Sequence, residues 1–267
     1  MPVPWRFAKY HGLGNDFLVG ADGRARDGRW AARVCERHRG PGADGVMLVS
    51  RRRNRFALHI FNADGSPATF SGNGIRCAAA WLFEQGQVAS PLELQTPAGL
   101  VTVSRSRGCS MALAFRIDSL RKPGDPPVRS VALPVGLGAG FRLAYHVVLG
   151  NPHLVLPVDD ADRLAPPTLE ALDRARGKSR RFPDAINVSL VAPVSAGVFR
   201  LRTWERGVGL SPSCASGACA TLYAGSVGGF LPASVRFLQD GGELRVTCDG
   251  RTIALEGPIE LAFNGEV

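Results

Sequence analysis

The sequence predicts an α/β (α+β) protein of two pseudo-symmetric domains that arose by duplication, and three observations carry the prediction. A stretch from Asn62 to Gly74 lines up, 143 positions later, with one from Glu205 to Gly217, so that Ser71 and Cys214 become counterparts. Three further stretches repeat in the same order at offsets of 136 to 143: Leu13–Val19 with Leu149–Val155, Ala43–Val49 with Ala185–Val191, and Phe56–Phe61 with Phe199–Trp204. One such match means little, but four in order at nearly constant spacing mark an internal repeat. Finally, 267 residues suffice for one large or two medium domains, and the repeat selects two.

Along the chain, Phe56–Ile60 alternates apolar and polar residues in the manner of a half-buried strand that feeds the first repeated loop. Ile75–Phe83 is then apolar nearly all round, which predicts a helix enclosed by a sheet rather than laid on its surface, with Gly86 as its stop. Gly108–Phe115, Val131–Val135 and Tyr145–Leu149 read as further strands. Val198–Trp204 repeats the strand before the loop, Ala218–Ala224 repeats the buried helix with Gly225 as its stop, and Glu243–Thr247 is a late strand. Lys122–Val128 is rich in proline, and Asp162–Arg181 holds a surface helix, Pro167–Gly177, followed by a basic loop. The domain crossing falls just before the Pro-rich stretch, giving one domain of residues 1–116 plus 258–267 and a second of 117–257.

Hydrophobic residues at 45% and charged residues at 21% are ordinary for a folded chain, so disorder is not expected. Met1–Phe7 lacks the apolar core of a signal peptide, and no apolar run approaches the roughly 20 residues of a membrane span, which points to a cytoplasmic protein without a membrane partner. The net charge of +9 raises the question of a nucleic-acid partner. The excess is scattered arginine, with only Lys9, Lys122 and Lys178 as lysines, and three tyrosines offer little for base stacking. Arg51–Arg53 and Lys178–Arg181 read as solvated turns, so a small anionic substrate fits the field better than a nucleic acid. Six cysteines form no C-x-x-C pair, which argues against a metal site or disulfides and for mostly buried thiols.

Ser71 and Cys214 each fall at or just before a predicted helix N-terminus, where unpaired N–H groups and the positive end of the helix dipole converge. Such a place binds a carboxylate and lowers the pKa of a thiol, so Cys214 is expected to be a thiolate near neutral pH. A serine alone would be an ordinary N-cap. Two such half-sites facing each other across a cleft would set one proton-transfer group on either side of a substrate, as inversion of a stereocentre requires.

The motifs extend the argument. His11–Phe17, Gly42–Gly45, Phe61–Ser66, Gly72–Cys77, Gly150–His153, Trp204–Gly209 and Gly217–Ala220 together resemble, in order, the diaminopimelate epimerases. The resemblance implies cofactor-independent, two-base epimerisation in the lysine and peptidoglycan precursor pathway. It implies two domains, each a curved, mostly antiparallel sheet or barrel around a central helix, with the active site in the cleft between them, and a homodimer. Asn15, Asn62, Asn151, Asn187, Glu205 and Arg206 match residues that hold the substrate's ends, and His153 and Glu205 match those that support the acid/base groups. Arg206 suits the distal carboxylate because its planar fork binds one bidentately. The N–H groups of Gly72, Asn73, Ala215 and Ser216 are implied to hold the reacting α-carboxylate.

The chain departs from the family's pattern at one of the two acid/base positions. Ser71 stands where the family has its first catalytic cysteine, and Leu210 and Ala215 stand where an acidic residue and a glycine are usual. An alcohol is a far weaker acid than a thiol, so the expectation is an asymmetric site. In that site Cys214 removes the α-proton, and Ser71, or a water it positions, supplies one from the other face. Four readings follow in order of preference. They are an epimerase of diaminopimelate, a Ser/Cys racemase of another amino acid such as histidine, a catalyst of exchange or elimination, and a non-catalytic amino-acid-binding protein.

Overall fold

The computed structural model describes residues 4–22, 26–52, 55–86, 88–121, 124–125, 128–131, 143–159, 186–205 and 208–267. The chain divides into two compact units, one of Met1–Ser119 with Glu256–Val267 and the other of Leu120–Leu255.

Unit one contains β1 (Arg6–Gly12), β2 (Asn15–Ala21), α1 (Gly28–Cys35), β3 (Gly45–Arg52), β4 (Arg55–Asn62), β5 (Pro67–Ala68), α2 (Gly72–Glu84), β6 (Leu92–Thr96), β7 (Gly99–Arg105) and β8 (Ser110–Arg116). Unit two contains β9 (Arg129–Val131), β10 (Ala144–Leu149), β11 (Asn151–Pro157), β12 (Asn187–Ser195), β13 (Val198–Glu205), β14 (Gly209–Ser211), α3 (Ala215–Gly228), β15 (Ser234–Gln239) and β16 (Gly242–Cys248). β17 (Thr252–Pro258) then leads to β18 (Glu260–Glu266), which completes unit one beside β1.

The two units repeat one pairing scheme. β1 and β2 pair antiparallel, β2 and β3 parallel, β3 and β4 antiparallel, β4 and β6 parallel, and β6 and β7 antiparallel. In unit two, β10–β11, β11–β12, β12–β13, β13–β15 and β15–β16 run through the same alternation. A parallel pair needs a crossover connection, and α2 and α3 supply it between β4 and β6 and between β13 and β15.

Eleven residues of α2 are buried, on every side of the helix, and it rests against β1, β2, β3 and β8. α3 is buried likewise among β10, β11, β12 and β16. Each fully buried Leu, Ile or Phe contributes roughly 1.5–3 kcal/mol, so helices this apolar are stable only when enclosed. Close approach demands glycine. A Cβ on Gly74 would meet the Met47 methyl at 1.8 Å, and one on Gly217 would meet Thr203 Oγ1 at 2.7 Å.

Three local readings need correction or addition. Gly225 does not stop the second helix, which runs on to Gly228; Gly229, at φ 72°, is the left-handed cap, and its N–H donates to the Gly225 carbonyl. Gly225 is small for another reason, since a Cβ there would meet the Leu231 side chain at 2.4 Å. Helix α1, with Asp27 as its N-cap, was not anticipated; its buried Ala31, Val34 and Cys35 join a core with Trp5, Phe7, Leu18 and Val46. The predicted helix Pro167–Gly177 and the basic loop after it lie outside the described residues. Among those described, no helix is long and apolar enough to cross a membrane.

Candidate active site

Ser71 and Cys214 occupy the same position in the two units. Both are N-caps in extended conformation, Ser71 at φ −144° and ψ 109° and Cys214 at φ −114° and ψ 101°. Ser71 Oγ accepts the Gly74 N–H at 3.2 Å, and Cys214 Sγ accepts the Gly217 N–H at 3.2 Å. A sulfur acting as an N-cap is unusual, because Ser, Thr, Asp and Asn are the preferred residues there. Here the repeat of the fold imposes the geometry and the side chain follows.

Around Cys214 the structure gathers several groups. The Cys214 N–H donates to Gln239 Oε1 at 2.8 Å, and Sγ lies 3.4 Å from Ser216 Oγ. Beneath Gly217, Ser189 and Thr203 exchange a buried hydroxyl contact of 3.0 Å. Burial first, then the negative charge of Glu205, pushes the Cys214 thiol well above its ordinary value; the Ser216 hydroxyl and the Gly217 N–H pull weakly the other way. The expectation of a thiolate near neutral pH is thus reversed for the substrate-free protein. A helix N-terminus is visible in sequence, whereas the desolvation that outweighs it is not.

His153 on β11 pairs in register with Asn187 on β12. It is fully buried, and neither ring nitrogen has a hydrogen-bond partner. Burial, reinforced by His146, depresses its pKa to about 3, so it is neutral at physiological pH. Asn187 is buried at the start of β12, Asn151 is half-buried at the start of β11, and Glu205 closes β13. Arg206 lies outside the described residues, and Ala215 and Ser216 open α3.

In unit one, Asn15 opens β2 and Asn62 ends β4, where Asn62 Nδ2 donates to Ser66 Oγ at 2.9 Å. Gly72 and Asn73 form the first turn of α2. Asn73 Nδ2 donates to Asn15 Oδ1 at 3.1 Å, so two of the expected residues touch through their side chains.

Sequence reasoning passed over three groups here. Arg76 is fully buried and donates to Asn73 Oδ1, the Gly72 carbonyl and the Gly257 carbonyl at 2.6, 3.2 and 2.8 Å. Asp16 and Asp44 form a cluster with Arg37 and Lys9. Burial works to raise the Asp16 carboxyl, but hydrogen bonds from Arg37 and Lys9 together outweigh it and hold the pKa below the ordinary value. Gln239 anchors Cys214 from a strand distant in sequence. Only Arg76 carried a signal, as the one charge in the apolar run Ile75–Phe83.

A cavity of about 530 Å³ lies at the other end of α2, lined by Arg6, Phe7, Trp81, Gln85, Asn264, Gly265 and Glu266. It contains none of the candidate site residues. Trp81 is ten residues from Ser71, or about 15 Å along the helix.

A family model described as diaminopimelate epimerase matches residues 7–108 and 145–260. The chain belongs to this family. The diaminopimelate epimerase of Prochlorococcus marinus is 34% identical, with 99% of this chain and 93% of the relative covered. That of Desulforudis audaxviator is 36% identical over 97% of this chain and 98% of the relative. Among solved structures, a phenazine biosynthesis PhzF-family protein of Enterococcus faecalis superposes with a TM-score of 0.74 over 99% of both chains at 17% identity, a likeness of fold alone. Within this chain, the enclosed helices α2 and α3 and their capped N-termini are the frame in which Ser71 and Cys214 sit.

Proposed function

We propose that this protein is a diaminopimelate epimerase, an isomerase of amino-acid biosynthesis that interconverts LL- and meso-diaminopimelate without a cofactor. The observation that carries the reading is the pair of equivalent helix N-termini capped by Ser71 and Cys214, within a chain of this family. Two-base inversion requires both caps to reach opposite faces of one α-carbon.

In the reaction, Glu205 takes the thiol proton from Cys214 and passes it to solvent, and the thiolate removes the α-proton. Its raised pKa makes the resting thiol abundant and the thiolate, once formed, a stronger base. Negative charge then spreads onto the α-carboxylate. The N–H groups of Gly72, Asn73, Ala215 and Ser216 stabilise it, an arrangement whose removal typically costs ~10²-fold or more in rate. Ser71, or a water on Ser71, returns a proton to the opposite face and is reprotonated from solvent. Asn15, Asn62, Asn151, Asn187, Glu205 and Arg206 hold the substrate's ends, and His153 and Glu205 support the acid/base groups. The Ser71 half comprises 1–116 with 258–267, and the Cys214 half 117–257. We place the enzyme in the cytoplasm as a homodimer acting on a small amino acid and not on nucleic acid or membranes; sedimentation of the purified protein tests the dimer.

The reaction is tested with LL-diaminopimelate in deuterated water. Meso product carrying one α-deuterium is expected. Deuterium in recovered LL substrate without any epimer would overturn inversion in favour of one-sided exchange, and tight binding with neither would make the protein a binder.

A further inference from the structure

Arg76, Asn73, Asn15 and Asp44 form a chain of hydrogen bonds that runs in one direction. Arg76 Nη2 donates to Asn73 Oδ1 at 2.6 Å, Asn73 Nδ2 to Asn15 Oδ1 at 3.1 Å, and Asn15 Nδ2 to Asp44 Oδ2 at 2.8 Å. A guanidinium only donates and a carboxylate only accepts, so the two ends dictate the orientation of both amides between them. Arg37 Nη2 anchors the far end, donating to Asp44 Oδ1 at 2.8 Å. Arg76 is sealed at the near end by its bonds to the Gly72 and Gly257 carbonyls.

We infer that Arg76 and Asp44 are positioning residues whose joint effect is to present Asn15 to the substrate as a hydrogen-bond donor. With the amide orientation of Asn15 fixed by its bonds to Asn73 and Asp44, its second Nδ2 hydrogen is held ready as a donor on the Nδ2 side. A donor recognises a carboxylate; a flipped amide would present Oδ1 and recognise an ammonium group instead. Arg76 also fixes the Gly72 carbonyl and the Asn73 side chain at the first turn of α2, beside the N–H groups assigned to the α-carboxylate. The inference rests on reading this site as that of the epimerase.

The test uses the whole protein in two arms. In the first, the side-chain amide resonances of Asn15 and Asn73 are followed in ¹⁵N-labelled protein without substrate. Arg76→Lys should shift the Asn15 resonances although Arg76 does not touch Asn15, and Asp44→Ala should shift those of Asn73 although Asp44 does not touch Asn73. Resonances that stay in place across either substitution overturn the chain. Asp44 is partly exposed, so its variant decides the matter if Arg76→Lys does not fold.

In the second arm, KM and kcat for diaminopimelate are measured in a double-mutant cycle. Arg76→Lys should raise KM by about tenfold with a smaller change in kcat, and in an Asn15→Ala background it should add less than about twofold. Effects that multiply in full would show that Arg76 acts otherwise than through Asn15. If the unsubstituted protein neither binds nor converts diaminopimelate, the functional reading fails, while the first arm still decides the chain.

Discussion

The two half-sites share a backbone and differ in what holds it. At the N-terminus of α2 the support is charged: buried Arg76, the amides of Asn73 and Asn15, and the Asp16–Asp44–Arg37–Lys9 cluster. At the equivalent N-terminus of α3 the residue aligned with Arg76 is Cys219, that aligned with Asp44 is Ile186, and a Ser189–Thr203 pair lies beneath Gly217. The acid/base groups differ in the opposite sense. The half with the Asp16–Asp44–Arg37–Lys9 cluster carries a neutral alcohol, and the other half carries a thiol governed by burial and by Glu205. Duplication thus preserved the cap, its extended conformation and its bond to the third helical N–H, while the source of electrostatic control diverged. A backbone motif can be copied because local hydrogen bonds define it. The field at that motif depends on neighbours from several strands, each free to change.

The comparison breaks most directly at the caps themselves. Cys214→Ala should lower both epimerisation and α-deuterium exchange by about 10³-fold or more, whereas Ser71→Ala should cost only about tenfold, because water can supply a proton where an alcohol did. Equal losses, measured by mass spectrometry of the recovered amino acid, would show the halves to be functionally alike. Replacing the alcohol tests the same asymmetry from the other side. Ser71→Cys should raise epimerisation by about 10²-fold, and no gain in the same assay would remove Ser71 from the proton path.

The control of Cys214 by Glu205 is read from a pH profile. Because the thiol is raised above its ordinary 9.0, the exchange rate should still be climbing at pH 9. Glu205→Gln removes one cause of the rise, so the alkaline limb should move to lower pH while the maximal rate falls by about tenfold. A limb that stays in place would sever the link between the two residues.

A separate expectation concerns stability in the second half. In the unfolded chain His153 takes up a proton near 6.5, whereas in the folded protein its pKa is about 3. Its contribution to stability is therefore full above pH 6.5 and is lost as pH falls towards 3, by about 1.4 kcal/mol per pH unit. Urea unfolding between pH 6 and 4 should show this slope, and His153→Leu should reduce it by one proton. An unchanged slope would mean that His153 is not the group titrating.

Much of this arrangement was legible without tertiary structure. The strands Phe56–Ile60 and Val198–Trp204 showed their alternation, and the helices after Ser71 and Cys214 showed an apolar composition that only enclosure explains. Helix α1 escaped notice because it is short, eight residues with only three buried positions, and it is held by packing against Trp5 and Phe7. Gly225 was misread as a stop because a glycine needed for close contact with Leu231 looks, in one dimension, like a glycine needed for a left-handed cap.

The family, the duplication, the enclosed helices and the identity of the two capping residues rest on local pattern and order, and the chain carries them in one dimension. The raised thiol of Cys214, the isolation of His153 and the one-way chain from Arg76 to Asp44 arise from packing. The physical reason is common to the three. Desolvation and hydrogen-bond direction are set by which atoms surround a group, and here those atoms come from strands far apart in sequence.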